Sequence, residues 1–316
     1  MNQNPELVVV GSVAIDDVRT PTGAVEGVLG GATVYFALAS QFFARTGMVG
    51  VVGDDYPEEA VDLFREKGIN VEGLERKSGK TFHWSGLYHD DINERSSLAT
   101  DLNVFEDFQP ELPESYRSAQ QLFLANILPT LQLDVLNQVE SPRIVGMDTM
   151  DFWIQGERED LEEVLAGVDA VLINDSEARM LADCTGTLRA AHRIAEMGPD
   201  YVVVKRGEFG AFLYAEEQFF FVPAYPVEDV VDPTGAGDCF AGGMFGFLSH
   251  VEELNLESLR QALVAGSVMA SFCIEDFSIE RLKSLTLREI QQRARGFENI
   301  TRFEPIDDAL GALTTG

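Results

Sequence analysis

The chain has 316 residues, 45% of them hydrophobic, which is enough for a large buried core in one α/β domain or two smaller ones. Its 53 Asp and Glu against 23 Lys and Arg leave a formal net charge of -30, so the surface repels nucleic-acid backbones and anionic membranes alike. No apolar run approaches the roughly 20 residues needed to cross a bilayer, and the N-terminal MNQNPELVVVGS lacks the basic segment and long apolar stretch of a secretory signal.

LVVVGS at 7–12 is a short apolar run closed by Gly and Ser, the pattern of a buried strand. Residues 25–29 predict a further short strand before Gly30 and Gly31, residues 33–43 a helix, and MVGVVG at 48–53 another strand. Pro57 suits the first turn of a helix through EEAVDLFREKG, which Gly68 stops. KTFHWSGLYHDDINERSSLAT, 80–100, mixes aromatic, polar and charged groups in rough alternation, as exposed strands do. Together with the 13–28 segment it predicts a small β-lid beside the main body. Apolar strands recur at 121–126, 143–148, 170–175 and 201–207, separated by helical stretches at 131–139, 159–165, 177–181 and 188–197. This cadence predicts an α/β fold with a mostly parallel sheet covered by helices.

AFLYAEEQFFFVPAY, 211–225, reads as an antiparallel hairpin with an acidic turn, its aromatic run assigned to core and sheet face. CFAGGMFGFLSH from Cys239 is apolar with closely spaced small residues, a helix packed tightly on the sheet, and 259–273 reads as a second buried helix. From about Gln292 the tail is polar and irregular. With no internal repeat or linker, the expectation is one domain over 1–316, with the lid segments inserted in it. Cys184, Cys239 and Cys273 are odd in number, widely spaced and without a CxxC pair, which predicts reduced thiols in a cytoplasmic protein.

The strongest local signal is VVDPTGAGDCFAGG, 230–243. Thr234-Gly235-Ala236-Gly237 supplies flexible backbone just before an apolar helix, and successive N–H groups at such a start surround an anion. Asp238 follows directly, placed to accept the proton of a hydroxyl that attacks phosphorus. A helix cap after a glycine turn is the plain alternative for Asp238, and a turn cap for Asp232. Neither GxxxxGKS/T nor a GxGxxG in a dinucleotide-binding context is present, and no HExxH or Cys/His cluster suggests zinc.

This stretch, Asp232 to Gly243, closely resembles the C-terminal signature of the ribokinase-like, or PfkB, family of carbohydrate and nucleoside kinases. The resemblance extends to GSVAID at 11–16, Gly30-Gly31 before a helix, GVVGDD at 50–55, NDSE at 174–177 and KRGEFGA at 205–211. It implies a ribokinase-like fold and an ATP-dependent kinase with Asp238 as base and Gly235, Ala236, Gly237 and Asp238 as the anion hole. It also implies that Asn174 and Glu177 organise Mg²⁺ and phosphate, Glu177 through water, although Asp175-Ser176-Glu177 also suits plain helix capping. Lys205, Gly207, Gly210 and Thr234 would then form the nucleotide edge, while Ala265, Ser267 and Met269 either line adenine or are core.

At the acceptor end the resemblance implies that Asp16 binds sugar hydroxyls beside Gly30 and Gly31. Four residues beyond the second glycine the family usually has Asn; this chain has Tyr35, which sets it apart from ordinary ribose recognition. Asn126, His83 and Trp84 are further candidates for the acceptor and Arg95 for an anionic group, each with a structural role as the alternative. The expected acceptor is a hydroxymethyl group on a small sugar, with a nucleoside as the alternative and a catalytically silent ligand-binding homologue behind both. Exposed lid strands suggest pairing into a homodimer.

Overall fold

The computed structural model describes residues 4–302. Along the chain run β1 (Leu7–Val10), β2 (Ala14–Thr20), β3 (Gly23–Gly30), α1 (Ala32–Ser40), β4 (Thr46–Val52), α2 (Glu58–Glu66), β5 (Asn70–Arg76), β6 (Phe82–Tyr88) and β7 (Arg95–Asp101). Then come β8 (Gln121–Leu124), α3 (Pro129–Leu136), β9 (Ile144–Asp148), α4 (Asp151–Gly156), α5 (Arg158–Ala166), β10 (Ala170–Asn174), α6 (Asp175–Leu181), α7 (Thr187–Ala195) and β11 (Tyr201–Lys205). The hairpin β12 (Ala211–Ala215) and β13 (Gln218–Val222) precedes α8 (Ala236–Leu248), α9 (Leu256–Cys273), α10 (Glu280–Ser284) and α11 (Leu287–Thr301).

Nine strands form one sheet in the order β13-β12-β11-β10-β9-β8-β1-β4-β5. All neighbours from β5 through β11 are parallel, and only β12 is reversed, pairing antiparallel with both β11 and β13. The continuous apolar runs follow from burial on both faces. In β1, Leu7 and Val9 enter the core under α1, α8 and α9, while Val8 and Val10 enter the core under α3, α5 and α7. A second sheet of order β3-β2-β6-β7 is the β-lid, drawn from 14–30 and 82–101.

Two local readings differ from the sequence. From Gln292 to Thr301 the tail continues α11, which starts at a reciprocal cap between Thr286 and Glu289 and buries Ile290 and Phe297, and the rest of the tail lies outside the described residues. Its polar surface hid a helix with only a narrow apolar face. NVEGLER forms the edge strand β5, half-buried and therefore without a clean apolar run.

Small residues set the depth of helix α8. A methyl group on Gly242 would run into the Phe36 carbonyl oxygen of α1, and one on Gly243 would lie 2.7 Å from Met269 Cγ and 2.9 Å from the Ala265 carbonyl oxygen of α9. Neither backbone can yield without moving a helix. Gly242→Ala is therefore expected to destabilise the protein by about 1–3 kcal/mol, the usual range for overpacking, as a lower midpoint in urea denaturation with an unchanged slope.

Candidate active site

Three parallel strands end side by side in polar groups: β9 at Asp148, β10 at Asn174 and β11 at Lys205. Asp148 pairs with Leu172 and Lys205 with Asn174, so strand alternation puts all three side chains on one face. That face is the one covered by α8, since Leu172 packs in the same core as Cys239 and Phe240. The carboxyl edge of such a sheet is where α/β folds bind ligands.

Lys205 Nζ lies 2.8 Å from Asp148 Oδ2, with only 17% and 9% of the two side chains exposed. Burial works against the ammonium, but Asp148 and then Glu177 outweigh it and raise the Lys205 pKa. Asp148 Oδ1 accepts a bond from the Thr149 N–H at 2.8 Å, so both carboxylate oxygens are used. A Cβ at Gly237 would sit 3.0 Å from Lys205 Nζ, which places the ammonium directly against the first turn of α8.

The turn that starts α8 is built on Asp232. Its buried carboxylate accepts from the Thr234 N–H at 2.9 Å and the Ser278 N–H at 3.1 Å, joining the glycine turn to the segment after α9. Gly235 precedes the helix with φ at 76°, and a side chain there would strike the Tyr35 ring. The Ala236 N–H bonds to the Pro233 carbonyl at 3.2 Å. The next two first-turn N–H groups, of Gly237 and Asp238, have no intrahelical acceptor and so form an anion-binding nest. Asp238 itself is half-buried. Burial and then Asp148 push its carboxyl up to about 7, while Lys205 and Arg95 pull the other way.

Asn174 and Glu177 make a reciprocal cap on α6: Asn174 Oδ1 accepts from the Glu177 N–H at 2.8 Å, and Glu177 Oε2 accepts from the Asn174 N–H at 3.0 Å. The capping role is therefore present, and it also fixes Glu177 beside the ion pair. Burial and then Asp148 raise the Glu177 carboxyl to about 7. Among the described residues no three His, Cys, Asp or Glu side chains are grouped to hold a metal ion by themselves. Such a donor set suits a hydrated Mg²⁺ bound mainly by phosphate oxygens, with a carboxylate acting through water.

The loop after β11 has Gly207 at φ 53° and Gly210 at φ 82°. A Cβ on Gly207 would strike the Asn93 side chain from the lid, and one on Gly210 the Val222 carbonyl. The lid also reaches the glycine turn, where the Thr234 hydroxyl donates to Tyr88 Oη at 3.2 Å. Arg95 pairs with Tyr88 across β6 and β7 and lies over the Trp84 ring, 5.9 Å from its centre.

At the other end of the site, Asp16 is 3% exposed and Tyr35 1% exposed. An oxygen of Asp16 occupies the space a Gly30 side chain would need, and Gly31, at φ 97°, leads into α1 against the Ser12 carbonyl. Burial, then Asp232, Asp17 and Asp238, raise the Asp16 carboxyl to about 8. The structure thus brings together Asp16, Gly30, Gly31, Tyr35, Thr234, Gly235, Ala236, Gly237, Asp238, Lys205, Asn174 and Glu177.

Other candidates have structural partners. Asn126 accepts from Trp153 Nε1 at 2.8 Å and donates to Met150 Sδ at 3.1 Å. His83 faces Asp17 at 3.1 Å and Asp101 at 3.7 Å within the lid, and Trp84 Nε1 donates to Ser97 at 3.0 Å. Met269 and Ala265 pack on Gly243, and Ser267 donates to the Pro223 carbonyl at 3.2 Å. Sequence reasoning missed Asp148; its only signal is a lone acid ending an apolar strand. It also missed Tyr88, which reads as one more lid aromatic.

Removing the ammonium alone would leave a buried carboxylate without its partner. Lys205→Met should cost about 3–5 kcal/mol, as for other broken buried pairs, while Lys205→Met combined with Asp148→Leu should recover most of that loss. A double-mutant cycle in denaturant measures both.

A scan against protein families matches residues 4–281 to the pfkB family of carbohydrate kinases. The cytidine kinase of Thermococcus kodakarensis is 32% identical over 275 residues, covering 82% of this chain and 96% of that protein. The nucleoside kinase of Methanothermobacter thermautotrophicus is 26% identical over 295 residues, covering 87% and 91%. Among solved structures, Arabidopsis thaliana ribokinase, complexed with ribose and ATP, superposes with a TM-score of 0.75 at 20% identity, over 92% of this chain and 99% of that one. With a match over residues 4–281, the chain belongs to the pfkB family of carbohydrate kinases.

Proposed function

We propose that this protein transfers the γ-phosphate of ATP to the hydroxymethyl group of a ribonucleoside, with Asp238 as general base. The observation that carries this reading is Asp238 on the first turn of α8, its carboxyl raised to about 7 beside the Lys205 ammonium and the open N–H groups of Gly237 and Asp238. A carboxyl near neutrality is a better proton acceptor than an ordinary one and is still about half ionised near pH ~7. The alcohol O–H proton passes to Asp238 as the oxygen bonds to the γ-phosphorus, and the bond from that phosphorus to the bridging oxygen of ADP breaks. Charge on the equatorial oxygens is met by the Gly235–Asp238 turn, where one well-aimed donor is worth roughly 3 kcal/mol. Lys205, Thr234 and the Gly207–Gly210 loop would hold the triphosphate, and Asn174 and Glu177 would hold a water of Mg²⁺. The ion supplies charge neutralisation between the phosphates.

The ribonucleoside acceptor is favoured by the cytidine and nucleoside kinases that match most of this chain's length. A free pentose is the second reading, supported by the family's description as carbohydrate kinases; Asp16, Gly30, Gly31 and Tyr35 would bound either one. The three free cysteines support a reducing, cytoplasmic setting. The outer lid strands β3 and β7 each have one unpaired edge within their sheet, which supports a homodimer through the lid.

The test is ADP release with Mg²⁺ and a panel of ribonucleosides and pentoses. Turnover of at least one ribonucleoside is expected; turnover of pentoses alone would move the assignment to the sugar, and binding without turnover would reject a kinase. Asp238→Asn should cost about 10²–10⁴-fold in kcat, the usual worth of a general base, with ATP affinity retained. The base works only without its proton, so kcat/KM for the acceptor should fall as pH drops through about 7. A flat profile between pH ~6 and ~8 would count against Asp238.

A further inference from the structure

Of the three side chains at the carboxyl edge of the sheet, Asp148 has no part in the reaction described above. Its side chain is 9% exposed, and both carboxylate oxygens are bonded, one to Lys205 Nζ and one to the Thr149 N–H, each at 2.8 Å. Its carbonyl oxygen accepts from Gln132 Nε2 at 3.1 Å, and the same buried amide bonds the Ala125 carbonyl at 3.1 Å. One side chain of α3 therefore holds the ends of β8 and β9, and Asp148 is a fixed point.

Lys205 is drawn to that point from a distance. β10 lies between β9 and β11, which are therefore roughly 10 Å apart, and the lysine leans across it to reach its partner. The Gly207–Gly210 loop that follows Lys205 runs the other way, to β12 on the far side of β11. The ammonium is thus turned from that loop toward α8, where a Cβ on Gly237 would lie 3.0 Å from Nζ. An ammonium has three N–H donors. Asp148 takes one, and among the described residues no other acceptor is bonded to Nζ. The remaining donors sit beside the open N–H groups of Gly237 and Asp238.

We propose that Asp148 is a positioning residue, which draws the Lys205 ammonium across β10 to the first turn of α8 so that this charge meets the phosphoryl group in transit. This rests on the kinase reading above and assigns the lysine a place within it. A cation aimed at the group that changes bonds binds the transition state better than the substrate, and so raises kcat. One that only anchors phosphates away from the reacting bonds holds both alike and acts on KM. Asp148 works through the lysine alone, since its own oxygens are already used.

The experiment is a double-mutant cycle on turnover of ATP and an acceptor, over Asp148→Leu, Lys205→Met and the two combined, with a melting temperature for each. Lys205→Met should lower kcat by about 100-fold and Asp148→Leu by about 10-fold. The KM for ATP should stay within about threefold in both. In the combined variant the melting temperature should return toward wild type, while kcat stays within about threefold of Lys205→Met alone, because nothing is left to aim. Asp148→Asn keeps an acceptor oxygen for the ammonium; it should retain more kcat than Asp148→Leu, and it replaces that variant in the cycle should Asp148→Leu not fold. An equal loss of kcat from the Asp148 change with and without Lys205 overturns the proposal. Wild-type kcat in a folded Asp148→Leu or Asp148→Asn protein does so too, as does a raised KM for ATP with kcat kept. A wild type that turns over no acceptor rejects the kinase reading and this inference with it, whereas the other adverse results leave that reading intact.

Discussion

An ammonium held 2.8 Å from Asp148 is the interaction on which the carboxyl edge of the sheet depends. This chain has only five lysines and a net charge of -30, yet one lysine is kept where three carboxylates converge. Asp148, Glu177 and Asp238 repel one another there, and burial makes the repulsion stronger than it would be in water. Lys205 neutralises one of them outright and tempers the other two. Without it the site would have to bind protons in place of phosphate. Even with it two negative charges are left over, and burial followed by Asp148 raises the Glu177 and Asp238 carboxyls to about 7.

That arrangement has a cost in stability, and its sign follows from linkage. Asp16, Glu177 and Asp238 all have carboxyls raised by folding, so the folded chain holds protons that the unfolded chain releases. Their contribution is most favourable below the ordinary carboxylate range, near 4, and is lost as pH rises through about 7 to 8. At working pH these groups oppose folding, and the rest of the molecule must offset them. It does so with a sheet buried on both faces and helices packed at backbone contact. Gly242 and Gly243 let α8 settle against α1 and α9. The depth of that helix then fixes where its open N–H groups point, and Asp232 locks the turn by bonding Thr234 and Ser278 at once. Close packing and open N–H groups are thus features of one helix.

Much of this was legible in the sequence, for identifiable reasons. Strands β1, β4, β8, β9, β10 and β11 appear as apolar runs because burial on both faces removes polar alternation. The glycine turn is legible because left-handed backbone at Gly235 and close approach at Gly237 demand that residue type. Asp148 was not, since its role exists only when β9 and β11, more than fifty residues apart, are set on either side of β10. The partners of His83 and Asn126 were hidden for the complementary reason. Both have the chemistry of ligand-binding groups, but Asp17 and Trp153 already satisfy them, and those partners are set by the fold. Of the two readings offered for Glu177 the cap is present, and since it orients the carboxylate it leaves the site role open.

The lid shows how acceptor and nucleotide halves are made to depend on each other. Its root is clamped by Asp54, which accepts from Gly79, and by Asp55, which accepts twice from Thr81 at 2.7 Å. Its strand β2 carries Asp16 to the acceptor end, while the far end of the same sheet places Tyr88 on Thr234 and Asn93 against Gly207. One small sheet therefore sets Asp16 against Gly30 and touches the glycine turn and the Gly207–Gly210 loop, the three places proposed for acceptor, anion and nucleotide. A lid with that reach excludes water from the phosphate only when it is seated at all three, and water is the competing acceptor at far higher concentration. Glycine at 207 serves that contact: it allows the left-handed backbone, φ 53°, and leaves room for the Asn93 side chain of the hairpin.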